Sequence, residues 1–107
     1  MINEIDSESL HERLAKGDDL VLVDIRTPAE VAQGAIPGAM ELPMHLLPLR
    51  LTELPKDKDV VLYCRSGARS YQACAYLMQQ GMGRVLNLRG GIIAWARHGY
   101  QIDWPGA

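Results

Sequence analysis

One cysteine lies where an apolar run gives way to a polar turn and then to a helix-like segment. Residues 60–63 are apolar, Cys64 follows them directly, and residues 70–80 have the pattern of a helix. The first turn of a helix presents backbone N–H groups that lack an intrahelical partner and carry partial positive charge. Because a thiolate or a bound anion is stabilised there, this position predicts a reactive Cys64 in an anion-binding loop.

The residues that follow Cys64 fit such a loop. Gly67 permits backbone angles that a side chain would resist, and Arg65 and Arg69 add positive charge. A free cysteine with a pKa of about 8.5 is mostly protonated at neutral pH. Loop N–H groups, the helix N-terminus and an arginine all favour the thiolate, so we expect the pKa of Cys64 to be lowered. Arg65 either faces solvent or binds an anionic substrate group, whereas we expect Arg69 to pair with a carboxylate and brace the loop.

The second cysteine, Cys74, is predicted to pack in the core. It shares one helix face with Ser70, Leu77, Met78 and Gly81. A disulfide with Cys64 is disfavoured, because five residues of helix rise by about 8 Å and bridged Cα atoms lie within roughly 7 Å. The cysteines and the three scattered histidines do not have zinc-site spacing. We therefore expect no metal site.

The rest of the chain alternates short apolar strands with helical segments. This order predicts an α/β domain with a mostly parallel sheet. The expected strands are 20–23, 40–42, 60–63 and 84–88, and the expected helices begin at residue 6 or 7, at 27, at 45, near 69 and at 92. Ligands bind at the carboxyl ends of the strands in open α/β sheets. Asp24, Cys64 and the turn at 88–91 are all expected at that edge.

Other notable residues are interpreted as structural. Asp24 at a strand end can accept from backbone donors, and Arg26 can pair with Glu30. Ser66 could donate its hydroxyl, although the loop needs only its N–H. Trp95 is predicted to pack in the core.

Composition indicates an ordinary globular protein. The 107 residues are 48% hydrophobic and 22% charged with a net charge of −2, which gives no reason to expect nucleic-acid binding or adhesion to an acidic membrane. No run approaches the ~20 apolar residues of a transmembrane helix, and the N-terminus lacks the pattern of a signal peptide. We expect one domain over residues 1–107 and a cytoplasmic location.

Four segments in order resemble the single-domain rhodaneses, which are sulfurtransferases of the thiosulfate type. Together they extend over almost the whole chain. They are Leu-Val-Asp-Ile-Arg at 22–26, Gly-Ala-Ile-Pro-Gly-Ala at 34–39, Cys-Arg-Ser-Gly-Ala-Arg-Ser at 64–70, and Leu-Arg-Gly-Gly-Ile-Ile-Ala-Trp at 88–95. One departure is Ala35, where the family usually has a histidine. That histidine lies outside the active loop in the family, so we expect its loss to affect local packing rather than catalysis.

The resemblance implies a three-layer fold with a central sheet of about five strands. It also implies an active loop of six residues, Cys64, Arg65, Ser66, Gly67, Ala68 and Arg69. Related phosphatases and arsenate reductases have a loop one residue longer, which is wider and suits a tetrahedral oxyanion. The shorter loop favours a persulfide on Cys64. Those two activities, and a non-catalytic binding module of the same fold, are the alternatives; the presence of Cys64 argues against the last.

The same resemblance implies the reaction partners. The donor would be thiosulfate or a similar small molecule. The acceptor would be cyanide in the laboratory and a cellular thiol or dithiol, such as a thioredoxin-like protein, in the cell. Because the loop N–H groups would stabilise both the thiolate and the persulfide, neither a metal nor an organic cofactor is needed.

Overall fold

The computed structural model describes residues 1–105, which form a five-stranded, wholly parallel sheet. The strand order is β1-β5-β4-β2-β3. The strands are β1 (Glu4–Ile5), β2 (Leu20–Asp24), β3 (Met40–Glu41), β4 (Asp59–Tyr63) and β5 (Val85–Leu88). The predicted α/β class with about five parallel strands is confirmed.

Helices lie on both faces of this sheet. They are α1 (Ser7–Ala15), α2 (Pro28–Ala32), α3 (Ala68–Gln79) and α4 (Gly91–Arg97), with two 3-10 segments at Met44–Leu49 and Leu51–Glu53. Successive side chains of a strand point to opposite faces. Leu62 of β4 accordingly packs in a cluster with Leu77 of α3, whereas Val61 packs in a second cluster with Leu10 of α1 and Trp95 of α4. The result is the predicted three-layer arrangement.

Local sequence signals account for the helix starts. Asp6 caps α1, where its Oδ1 accepts from the Ser9 N–H at 2.8 Å. Thr27 begins α2 with a complete capping box, in which Thr27 and Glu30 each accept from the other's backbone N–H. The segment predicted as helical from 45 is a 3-10 helix with Pro48 inside it, because proline has no N–H to donate to a regular α-helical ladder.

Strand β1 was not predicted. It has only two residues, so the alternation of side chains that identifies a strand hardly develops. Its place is set by pairing with β5, in which Glu4 lies opposite Asn87 and Ile5 opposite Leu88. The backbone of Arg89 also donates to the Ile5 carbonyl at 2.9 Å. Strand β1 thereby brings Glu4 toward the loop that follows β4.

Within residues 1–105, no helix is both long enough and apolar enough to span a membrane.

Candidate active site

The predicted loop begins at the carboxyl end of β4 and runs into the first turn of α3. Cys64 follows Tyr63, the last residue of β4, and Gly67 is the N-cap of α3 with a φ of 101°. This left-handed backbone conformation favours glycine. It turns the chain so that the Gly67 N–H donates to the Cys64 sulfur at 3.1 Å.

The environment of Cys64 has opposing effects on its pKa. Burial, with 1% of the residue exposed, disfavours the charged thiolate. Against this, the sulfur accepts hydrogen bonds from the Ser70 hydroxyl at 3.4 Å and from the backbone N–H of Gly67. The backbone N–H groups of Ser70 and Ser66 act in the same direction, and the pKa of Cys64 falls below its usual value. The predicted direction is confirmed, and the hydrogen bonds are its main favourable cause.

Ser70 and Asn87 are site residues that sequence analysis missed. The Ser70 Oγ lies 2.5 Å from Asn87 Oδ1, and Asn87 Nδ2 donates to Glu4 Oε2 at 2.9 Å and to the Gly67 carbonyl at 3.2 Å. Asn87 is 1% exposed in the otherwise apolar strand β5. Because buried polar side chains need hydrogen-bond partners, an asparagine inside that apolar run was an available signal.

The first turn of α4 closes the other side of the loop. The N–H of Ile92 donates to the Cys64 carbonyl at 3.0 Å, and that of Ile93 donates to the Arg65 carbonyl at 3.2 Å. Gly91 has a φ of 58°, and a Cβ at this position would overlap both loop carbonyls. The turn at 88–91 therefore lies at the same sheet edge as Cys64, as predicted, and Gly91 allows it to approach the loop closely.

The two loop arginines differ in their contacts. Arg69 makes a bidentate ion pair with Glu30 of α2, with N–O distances of 2.9 and 2.8 Å. The Arg69 hydrogen bonds are the main reason why the pKa of Glu30 falls to about 2. Arg65 is exposed and makes no side-chain hydrogen bond or ion pair within residues 1–105. Bracing by Arg69 agrees with the prediction.

The predicted pairing of Arg26 with the Glu30 carboxylate is wrong. Arg26 instead binds the Asp24 carboxylate, at 2.7 Å from Nη2, and the Gly34 carbonyl, also at 2.7 Å. It reaches only the backbone oxygen of Glu30, at 3.4 Å. Arg26 precedes α2 and its side chain turns to Asp24, while the Glu30 carboxylate pairs with Arg69. Asp24 and Arg26 are nevertheless buried and structural, as expected.

Cys74 lies in the core, as predicted. It is fully buried, and both cysteines are free thiols. Burial raises the pKa of Cys74 to about 12, so its sulfur is protonated and unreactive at neutral pH. Trp95 is also a core residue, 2% exposed. Among residues 1–105, no three His, Cys, Asp or Glu side chains are grouped closely enough to hold a metal ion.

Comparison with known proteins assigns this chain to a family. The family model described as "Rhodanese-like domain" matches residues 6–98, and the chain belongs to the rhodanese family. A protein of Allochromatium vinosum named sulfurtransferase is 76% identical over 105 residues, which are 98% of this chain and 98% of that protein.

Two further matches are also named as sulfurtransferases. The putative sulfurtransferase YtwF of Bacillus subtilis is 42% identical over 94 residues, covering 88% of this chain and 90% of that one. The crystal structure of a thiosulfate sulfurtransferase from Pseudomonas aeruginosa superposes with a TM-score of 0.88 at 28% identity, over 95% of this chain and 20% of that one. These relatives support sulfur transfer of the rhodanese type, with a sulfur donor and a sulfur acceptor as substrates.

Proposed function

We propose that the protein is a sulfurtransferase that carries sulfane sulfur as a persulfide on Cys64. The Cys64 thiolate attacks the outer sulfur of thiosulfate, a Cys64–sulfur bond forms, and the sulfur–sulfur bond of thiosulfate breaks. Sulfite leaves with the bonding electron pair. A thiol or dithiol acceptor, such as a thioredoxin-like protein, then removes the outer sulfur and restores the thiolate. The other loop residues, Arg65 to Arg69, surround the donor.

The observation that carries this proposal is the set of hydrogen bonds at the Cys64 sulfur. Gly67 donates its N–H at 3.1 Å and Ser70 its hydroxyl at 3.4 Å. Donors aimed at a sulfur stabilise it as a thiolate and equally as the leaving group when the acceptor attacks. The chain's own residues thus supply what both half-reactions need, and the proposed reaction requires neither a metal nor an organic cofactor.

Two features favour sulfur transfer over the phosphatase or arsenate reductase alternative. Only four residues separate Cys64 from Arg69, which makes the loop one residue shorter than in those enzymes. Arg69 also has both of its terminal nitrogens, Nη1 and Nη2, bonded to the Glu30 carboxylate, whereas a bound tetrahedral oxyanion is best held by a free, bidentate arginine. Arg65 remains available for the sulfonate oxygens of thiosulfate.

A parallel activity assay tests the proposal. Thiosulfate with cyanide should yield thiocyanate and sulfite in equal amounts, and p-nitrophenyl phosphate should not be hydrolysed. Cys74→Ser should retain the first activity and Cys64→Ser should lose it. Hydrolysis of the phosphate ester without thiocyanate formation would establish the phosphatase alternative, and neither activity would favour a binding module.

A further inference from the structure

A cavity of about 280 Å³ adjoins the active loop. The loop contributes Arg65, α4 contributes Ile93 and Ala96, and the last described residues of the chain contribute Ile102 and Trp104. Binding sites for small organic molecules are clefts with mainly apolar walls and a few polar groups. This cavity has that character, and it shares Arg65 with the loop that holds Cys64.

Ile102 and Trp104, which form one apolar side of the cavity, belong to residues 100–104, here named the C-terminal strap. Three contacts attach the strap to the domain. Tyr100 stacks on His11 with ring centroids 3.9 Å apart, and Trp95 Nε1 donates to the Gln101 carbonyl at 2.8 Å. Asp103 exchanges two backbone hydrogen bonds with Ala35, both 2.8 Å long. The strap lies beyond the part of the chain that matches the family, residues 6–98. The strap therefore adds two apolar side chains, Ile102 and Trp104, that lie outside the family match.

Trp104 packs against the backbone at Gly34 while much of its ring stays accessible. A Cβ on Gly34 would lie 3.0 Å from Ile102 Cγ2 and 3.2 Å from Trp104 Cζ3, so the absence of a side chain there lets the indole pack closely on the backbone that follows α2. Trp104 is nevertheless 61% exposed. A large aromatic surface that is packed on one side and open to solvent on the other is well suited to cover an apolar ligand group.

Charge restricts what the ligand can be. Of the charged groups that line the cavity, Arg26 is paired with Asp24, and Glu30 is paired with Arg69. Arg65 makes no such pair within the described chain, so the cavity offers one available positive charge beside apolar walls. A ligand that matches it has an apolar body and one anionic group.

We propose that this cavity binds the organic part of the sulfur acceptor, a small thiol that carries an apolar group and a carboxylate. Its carboxylate pairs with Arg65 and its apolar group contacts Trp104. This inference rests on the proposed function, in which thiosulfate has no organic part to fill the cavity. In the transfer step the acceptor thiolate bonds to the outer sulfur of the protonated Cys64 persulfide. The sulfur–sulfur bond to Cys64 breaks, and Cys64 leaves as the thiolate, so no oxidant or reductant is consumed.

Single-turnover discharge of the persulfide tests the acceptor site separately from the proposed function. Protein is first loaded with thiosulfate, which itself reports whether a persulfide forms. It is then mixed with one of two alkyl thiols of matched reactivity, 3-mercaptopropionate or its 2-benzyl derivative. The benzyl compound should discharge the persulfide faster at low concentration. Trp104→Ala should reduce this preference about tenfold, the effect of losing apolar contact in a binding pocket.

Controls separate a binding role of Trp104 from a structural one. Trp104→Phe should keep most of the preference, and Leu49→Ala, which removes an exposed apolar side chain outside the cavity, should keep all of it. Trp104→Ala should load with thiosulfate as wild type does. Equal discharge by both thiols, or a benzyl preference that survives in Trp104→Ala, would overturn the inference. So would a persulfide that a dithiol protein such as thioredoxin discharges and neither small thiol does. Failure to load would instead contradict the proposed function.

Discussion

The hydroxyl of Ser70 lies 3.4 Å from the sulfur of Cys64, at the first turn of the helix that the loop leads into. The same oxygen lies 2.5 Å from Asn87 Oδ1. A hydroxyl has a single proton to donate, so the Cys64 sulfur and the asparagine compete for it. Asn87 cannot turn away, because its Nδ2 is held by Glu4 and by the Gly67 carbonyl. The charge state of Cys64 is thereby linked to strands β1 and β5.

Ser70→Ala should raise the pKa of Cys64, because it removes a hydrogen bond to the thiolate and leaves the burial of the sulfur unchanged. We expect the midpoint of the iodoacetamide alkylation rate against pH to move upward and the rate at neutral pH to fall several-fold. Ser66→Ala is the matched control: Ser66 acts through its backbone N–H, so its midpoint should match that of wild type. An unchanged midpoint in Ser70→Ala would show that its hydroxyl does not stabilise the thiolate.

Glu30→Gln should remove one component of the pH dependence of stability. Because folding lowers the pKa of Glu30 from 4.5 to about 2, its ion pair contributes fully above pH 4.5, and this contribution is lost as the pH falls toward 2. The partly exposed pair is worth about 1 kcal/mol or less at neutral pH. Urea unfolding at several pH values should therefore show a gap between wild type and variant that closes on acidification.

The ion pair between Arg50 and Glu53 provides a matched control for the effect of Glu30→Gln on sulfur-transfer activity. Glu53→Gln breaks another bidentate arginine–carboxylate pair, in a 3-10 segment and its flank rather than at the active loop. We expect Glu53→Gln to leave sulfur transfer unchanged and Glu30→Gln to reduce it, because only the latter frees Arg69. Equal activities of the two variants would contradict a bracing role for Arg69.

Gly91→Ala should disrupt the active loop. The new Cβ would overlap the carbonyl oxygens of Cys64 and Arg65, and the φ of 58° disfavours any side chain. We expect a loss of about 3 kcal/mol in the free energy of unfolding, from backbone strain and overpacking, and little remaining activity. Gly81→Ala also has a positive φ, of 90°, but open space around the position. Gly81→Ala should lose about 1 kcal/mol in the free energy of unfolding and retain activity. Equal losses of stability in the two variants would contradict a clash at Gly91.

The sequence predicted those parts of the site that arise from neighbouring residues. Cys64, the left-handed Gly67 and the start of α3 follow one another, so the order of apolar run, turn and helix was enough to place them. Partners distant in sequence were not predictable in the same way. Glu30 and Arg69 are 39 residues apart and Glu4 and Asn87 are 83 apart, and which charged group meets which depends on how the sheet and helices pack.

The wrong pairing of Arg26 illustrates this limit. Arg26 and Glu30 are four residues apart, a separation that favours pairing within a helix, but Arg26 precedes α2 and its side chain turns to Asp24 instead. Strand β1 was missed because two residues show no periodicity, and its pairing with β5 comes from tertiary structure. The contact that Ala35 makes was likewise not predictable, because its backbone pairs with Asp103 of the strap, 68 residues further along the chain.

Mass spectrometry of the intact protein after thiosulfate treatment tests the central claim most directly. Wild type and Cys74→Ser should each gain the mass of one sulfur atom and lose it again when cyanide is added. Cys64→Ser should gain nothing, since the buried Cys74, with a pKa raised to about 12, cannot substitute for it. The absence of an adduct on wild type, or an adduct that persists in Cys64→Ser, would contradict a persulfide carried by Cys64.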